Sequence, residues 1–363
     1  MEAATTTMLP DLGGLSLARK GQRAPVPTGA PKGKAPAKKK QAFNPGQGGD
    51  DDSSEESDDE PFRRAAVMTA RGRKKRAGKQ AYQVPAAAAS SSTPTYKPVT
   101  NEALAPPSGS RTAIGIAHAA TPKWTHPEFG PVAQWDMSQV TVLPRLGVSE
   151  AIRNNFNLDL SAWDVSNVEQ ADHAFEGCVK FQGKGLEKWH LPKCTSASSM
   201  FAMCEKFDAD VRTWDMRALM DAHSMFSQCY EFTGKGLYNW KCYNLRNMMS
   251  MFSNCSSTGF NPALGAWDVR RVTTMNHAFS GCKAFQGIGI DAWQTPMLTN
   301  TAHAFRETNL SSVNLSNWNM TNVTNAASMF DECKQFLGIG LPAWRVHNLE
   351  NMTSMFRKCH KVN

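Results

Sequence analysis

The sequence predicts an α/β solenoid, a leucine-rich-repeat-like array of short parallel strands and short helices preceded by a disordered tail. Three observations carry that reading. Nine tryptophans (Trp135, Trp163, Trp189, Trp214, Trp240, Trp267, Trp293, Trp318 and Trp344) are separated by 28, 26, 25, 26, 27, 26, 25 and 26 residues, the period of a chain built from stacked repeats. Phe175, Phe201, Phe226, Phe252, Phe279, Phe305, Phe330 and Phe356 each stand twelve residues after a tryptophan, from Trp163 onward. Within one unit, Asn314 to Phe336, the apolar period changes. Leu315, Trp318 and Met320 are spaced as a buried strand entered from a turn; Val323, Ala326, Met329, Phe330, Cys333 and Phe336 step by three and four, as a helix face does.

Three regions follow in order. Residues 1–110 read as a disordered basic, acidic, then basic tail, because Ala, Pro, Gly, Ser and charge offer too little apolar surface to offset conformational entropy. Lys32 to Lys40 (KGKAPAKKK), Asp50 to Glu60 (DDDSSEESDDE) and Arg71 to Lys79 (RGRKKRAGK) are its charged runs. Residues 1–130 hold 19 Lys plus Arg against 12 Asp plus Glu, whereas residues 131–363 hold 21 against 20, so the net charge of +8 belongs to the tail. Arg73, Lys74, Lys75 and Arg76 form a nuclear-targeting-like cluster that importins read, or that neutralises phosphates without sequence preference; a plain solubilising tail is the third reading. Ser53, Ser54 and Ser57, set among carboxylates, read as phosphorylation sites for an acidophilic kinase. Leu9, Leu12, Leu15 and Leu17 have the spacing of a leucine-rich export signal, a pattern common by chance. No stretch has the pattern of a secretory signal or of a membrane span.

Residues 111–162 read as an N-terminal cap and lead-in, since the turn at Trp135 has Gly147 where the others have Phe and Glu150 where they have Cys. Residues 163–363 form eight regular turns. A polar residue seven after each Trp (Gln170, Ser196, Asp221, Asn247, Thr274, Asn300, Asn325, Asn351) is expected to cap a helix by accepting an orphan amide. Seven of nine cysteines fall fifteen after Trp, with Thr308 in the remaining slot, and read as buried small hydrophobes rather than zinc ligands or disulfides. Turns alternate: Asp or Asn follows Trp163, Trp214, Trp267 and Trp318, whereas F-x-G-x-G precedes Trp189, Trp240, Trp293 and Trp344, giving a true period near 52. The G-x-G pairs read as tight turns, not phosphate cradles, because no third Gly or strand-to-helix context follows.

The segments LSAWDVSNVEQADHAFEGCVKF, Leu160 to Phe181, and LGAWDVRRVTTMNHAFSGCKAF, Leu264 to Phe285, resemble the BspA-like leucine-rich-repeat family, the tryptophan-containing repeat of bacterial and protist surface proteins and mycoplasma lipoproteins. The resemblance covers roughly residues 131–363. It implies a leucine-rich-repeat-like solenoid used for adhesion or protein binding, often on a cell surface, and no enzymatic activity.

The residues themselves carry no catalytic constellation. Asp215 and Asp268 lie two rungs apart, about 9.6 Å, at the upper edge of an inverting glycosidase pair, yet nothing around them implies a pocket or a raised carboxyl pKa. With Lys241 between them they read as a charge ladder. Outward positions one and three after Trp bring Arg217, Lys241, Tyr243 and Arg270 onto consecutive turns, the candidate partner-binding residues, since Tyr and Arg often carry binding energy. The expected function is a non-enzymatic protein-binding scaffold in the nucleus or cytoplasm, without cofactor or metal. It engages an acidic or extended partner, conceivably its own phosphorylated Asp50 to Glu60, and has scope for end-to-end self-association through its C-terminal turn. The alternatives are a surface or virion adhesion protein and a nucleic-acid-associated factor acting through the basic tail.

Overall fold

The computed structural model describes residues 95–104, 114, 117 and 124–362, which all lie in the unit Ala86–Asn363. The leucines at 9 to 17, Ser53, Ser54, Ser57 and Arg73 to Arg76 lie outside the described residues. Regular elements are few: α1 (Asn101–Leu104), an antiparallel pair β1 (Thr125–His126) and β2 (Gly130–Pro131), and α2 (Glu150–Arg153). From there the chain is a stack of turns joined by single-residue parallel bridges, one per turn, from Val142 with Gln170 to Asn325 with Asn351.

Aromatic columns fill the interior. Phe175, Phe201, Phe226, Phe252, Phe279, Phe305, Phe330 and Phe356 stack in one unbroken file with centroids 5.2 to 5.8 Å apart. The tryptophans stack beside them, for example Trp214 on Trp240 at 6.1 Å and Trp240 on Trp267 at 5.6 Å. Each tryptophan from Trp163 onward also donates its indole N–H to a carbonyl of the preceding turn, always that of the aliphatic residue three before the earlier Trp. Trp240 bonds Val211 O at 3.0 Å, Trp267 bonds Leu237 O at 2.8 Å and Trp318 bonds Ile290 O at 2.8 Å. The cysteine column is similar, with Cys255 Sγ donating to Phe226 O at 3.1 Å and Cys282 Sγ to Phe252 O at 2.9 Å. Burial raises these thiols, Cys178 and Cys333 to about 12, so the S–H donors keep their protons.

The short helices expected from the three-and-four spacing are not formed among the described residues of the stack. Along that segment the turns are bonded to each other amide by amide, which holds them at a strand-like separation of about 4.8 Å and leaves no room for helices roughly 10 Å wide. Instead, successive amides alternate between two tasks. In the turn after Trp240, Met248, Ser250, Phe252 and Asn254 donate to the next turn at Thr274, Asn276, Ala278 and Ser280, while Met251, Ser253 and Cys255 close three-residue turns on themselves. Positive φ at Ser250 (54°) and Asn254 (60°) makes the alternation possible. The polar residue seven after Trp is the bridge residue rather than a helix cap, yet in several turns its side chain still takes an orphan amide. Asn247 Oδ1 accepts from Met249 N at 3.0 Å and Asn325 Oδ1 from Ala327 N at 3.0 Å.

Before Trp189, Trp240, Trp293 and Trp344, a left-handed Gly opens a short 3-10 turn, as Gly236 (φ 89°) does for Leu237–Asn239. A Cβ on Gly236 would run into the backbone of Arg212 in the preceding turn. At the N-terminal end, Asn101 Oδ1 accepts from Thr141 N (3.1 Å) and Val142 N (3.3 Å), and Val99 and Leu104 are buried. The cap thus draws on residues ahead of position 111. In the last turn Met352 and Phe356 are 56% and 37% exposed, whereas their counterparts one turn earlier, Ala326 and Phe330, are fully buried.

Two predictions follow from the tryptophan column. Trp240→Ala should lower stability by about 3–5 kcal/mol in urea denaturation, and Trp240→Phe, which keeps a ring but leaves Val211 O with only the Trp214 amide as donor, by about 1 kcal/mol. Gly236→Ala should cost more than about 1 kcal/mol, because the new side chain meets backbone in a left-handed conformation.

Candidate functional site

The residues that face solvent one and three positions after Trp do not lie on a strand. Residues three and four after Trp are the two central residues of a β-turn: Leu219 N bonds Met216 O (3.2 Å), Leu245 N bonds Cys242 O (3.2 Å) and Val272 N bonds Val269 O (3.0 Å). Arg217, Tyr243 and Arg270 share the first of these corner positions, and Ala218, Asn244 and Arg271 the second. The corners are tied together by side chains. Asn244 Nδ2 donates to Arg217 O at 2.9 Å and its Oδ1 accepts from Arg271 Nη1 at 3.1 Å. The turned corner thus forms because a central Asn both satisfies the previous corner's carbonyl and anchors the next corner's arginine.

The four candidate residues play different parts. Asp215 Oδ1 accepts the Arg217 amide and its carboxylate pairs with the Arg217 guanidinium at 2.5 Å; Asp268 treats Arg270 the same way, at 2.6 Å. Both carboxyls are held below the usual range by these arginines, although partial burial opposes the shift. A general acid needs the opposite shift. The charge ladder through Lys241 is replaced by these pairs within one turn. Lys241 and Tyr243 are exposed, Tyr243 at 49%, and Lys241 makes no ion pair among the described residues.

Tyr243, Asn244, Asp268, Arg270 and Arg271 line one shallow depression. One further cation thus lines the same depression although it stands outside positions one and three. Arg271 lies at the second corner position, held by Asn244 Oδ1 and without an ion pair among the described residues. A sequence signal separates the two kinds of arginine. Arg217 and Arg270 follow an aspartate by two residues (D-M-R and D-V-R), the spacing of a turn that consumes both charges, whereas Arg246 and Arg271 lack such a partner.

A different polar cluster lies farther along. His277 and His303 stack face to face at 4.4 Å and 11°. Burial depresses both imidazoles, helped at His277 by His303 and Arg306, and at His303 by Arg306 against an opposing pull from Asp331. Asp331, itself buried, holds Arg357 at 2.7 Å and Arg306 at 3.3 Å.

A family model described as "Mycoplasma protein of unknown function, DUF285" matches residues 147–261 and again 246–363, each match taking in four of the eight tryptophans from Trp163 to Trp344. No curated protein and no solved structure matches the chain.

The histidine pair sets a pH dependence. Both pKa values lie below that of an unfolded histidine, so the unfolded chain binds more protons as pH falls below about 6.5. Stability is therefore full above that value and is lost as pH drops toward the folded-state pKa values. Urea midpoints at about pH 7.5 and about pH 5 should differ more for the wild type than for a His277→Asn, His303→Asn double variant.

Proposed function

We propose, from the premise that the chain belongs to the repeat family described as Mycoplasma protein of unknown function, DUF285, that its stacked turns are a solenoid serving as a non-enzymatic, protein-binding scaffold. The observation that supports this reading is exposed Tyr243, which lines a shallow depression with Arg270 and Arg271 on a surface of turn corners braced through Asn244. A stack whose interior is filled by aromatic columns and whose backbone amides are used between turns holds its outer side chains at fixed spacing. Such a surface recognises a partner without reorganising. Tyr and Arg at its centre bring contact area and multiple hydrogen-bond donors at low entropic cost. The resemblance to BspA-like surface repeats supports protein binding as the mode of action. The basic run Arg71 to Lys79 supports an intracellular or nuclear setting, which fractionation with an antibody to the stacked region decides.

The test of the scaffold reading places a photo-crosslinking amino acid at position 243 of the full chain, and in a second variant at Gln228, outside the depression. A discrete protein adduct from position 243 that is lost in an Arg270→Ala, Arg271→Ala background is the expected result. Adducts that are equal at both positions, or no protein adduct at all, would overturn it.

A further inference from the structure

We infer that the seam between the Trp267 turn and the Trp293 turn is an acid-sensitive joint, closed while His277 and His303 are both neutral and opened when the two rings take up protons. Such a joint would act whatever the outer face binds.

Ten residues after each tryptophan from Trp163 onward the backbone is left-handed, and the residues there are His173, Ser199, Ser224, Ser250, His277, His303, Ser328 and Ser354. Only at this seam does a histidine follow a histidine on the next turn. The two rings lie face to face at 4.4 Å and 11°. No water fits between faces that close, so two imidazolium charges would meet there with little screening.

The residue thirteen after Trp decides whether such a charge finds a counterion. In the Trp163 turn it is Glu176, whose carboxylate pairs with His173 Nδ1 at 3.0 Å. In the Trp267 turn it is Ser280, and in the Trp293 turn it is Arg306. Arg306 opposes protonation of both rings, and Asp331 on the following turn favours it at His303 alone. Asp331 is already engaged by Arg357 at 2.7 Å and Arg306 at 3.3 Å, and Glu307 by Arg306 at 2.6 Å. On the turn before, Ser250 and Ser253 hold the equivalent positions and bring no charge. His303 Nδ1 is buried without a hydrogen-bond partner among the described residues, so a proton placed there has no acceptor.

The backbone crosses this seam as it does the others: Met275, His277, Phe279 and Gly281 donate to Asn300, Ala302, Ala304 and Arg306 at 2.8 to 3.0 Å. The ring packing is thinner. Trp240 stacks on Trp267 at 5.6 Å and Trp293 on Trp318 at 5.9 Å, but among the described residues no stacked pair joins Trp267 to Trp293, an interruption that recurs only between Trp318 and Trp344. Opening the seam returns both imidazoles to water, where they bind protons more readily. The open form therefore gains population as pH falls below about 6.5. It would separate the five turns from Trp163 to Trp267 from the three that begin at Trp293, and bare a row of amides on one block and of carbonyls on the other.

The experiment is hydrogen exchange of the full chain, read by mass spectrometry as protection factors at about pH 7.5 and about pH 5. At the lower pH the amides of Met275, His277, Phe279 and Gly281 are expected to lose protection by about fivefold or more, while Met248, Ser250, Phe252 and Asn254, the same amides one seam earlier, stay within about twofold. The variant His277→Ser, His303→Ser, which installs the residue most turns carry, should abolish the local loss, and His303→Ser alone should reduce it. Equal losses at the two seams would overturn the inference, since acid would then loosen the whole stack. So would a loss over residues 275–281 that the double variant retains. Should the double variant not fold at about pH 7.5, as its urea midpoint reports, a His303→Ser protein that opens as readily as the wild type would overturn it instead.

Discussion

From Trp163 onward each indole N–H reaches back to a carbonyl of the turn before, and the rest of the molecule depends on that contact. It sets the register of one turn on the next at a buried position where a slip of one residue would leave the indole donor unsatisfied. With the register set at Trp, the phenylalanine twelve residues later falls over its counterpart in the turn before, and the thiol fifteen residues later falls on that counterpart's carbonyl. Side chains thereby do what long strands do in an ordinary sheet. The backbone is then free to turn almost continuously.

That division of labour explains how tight turns form the wall. A residue whose amide points to the neighbouring turn cannot also feed a helical bond to its own, so the bonding alternates and the chain bends at every other residue. Ser250 and Asn254 accept left-handed backbone for this purpose, and in other turns Gly281 and His277 occupy the same slots. Outer side chains are consequently carried on short, mutually braced corners. Asn244 shows how the bracing reaches the candidate face, linking Arg217's carbonyl to Arg271's guanidinium across three turns.

Much of this was legible in the sequence. The Trp and Phe columns, the buried free cysteines and the acceptor role of Asn247 and Asn325 follow directly from spacing and residue type. The expected helix did not form because three-residue turns in series bury residues at the same intervals of three and four as a helix does; Val323, Ala326, Met329 and Phe330 fit both patterns. Only the distance between turns distinguishes them, and that is a property of the stack. The face was half legible. Arg217, Lys241, Tyr243 and Arg270 were singled out by alternation about a buried Trp, but Arg271 lies at the second corner of a turn that a strand reading does not foresee, and the Asp-x-Arg spacing that pairs Arg217 with Asp215 and Arg270 with Asp268 was legible beside it.

The paired glycines carry a consequence for how such a protein changes its length. Gly236 lies against the backbone of Arg212 in the turn before, and Gly234 against Pro262 in the turn after; Gly287 and Gly289 repeat the arrangement against Leu310 and Gly265. Every G-x-G turn is therefore shaped to two neighbours of the other kind. Inserting or deleting a single turn would bring two like turns together, so duplication or loss by recombination is tolerated only in pairs, in steps of about 52 residues. Two homologous arrays would then differ in length by whole pairs, and a partner's footprint would move along the stack in the same increments.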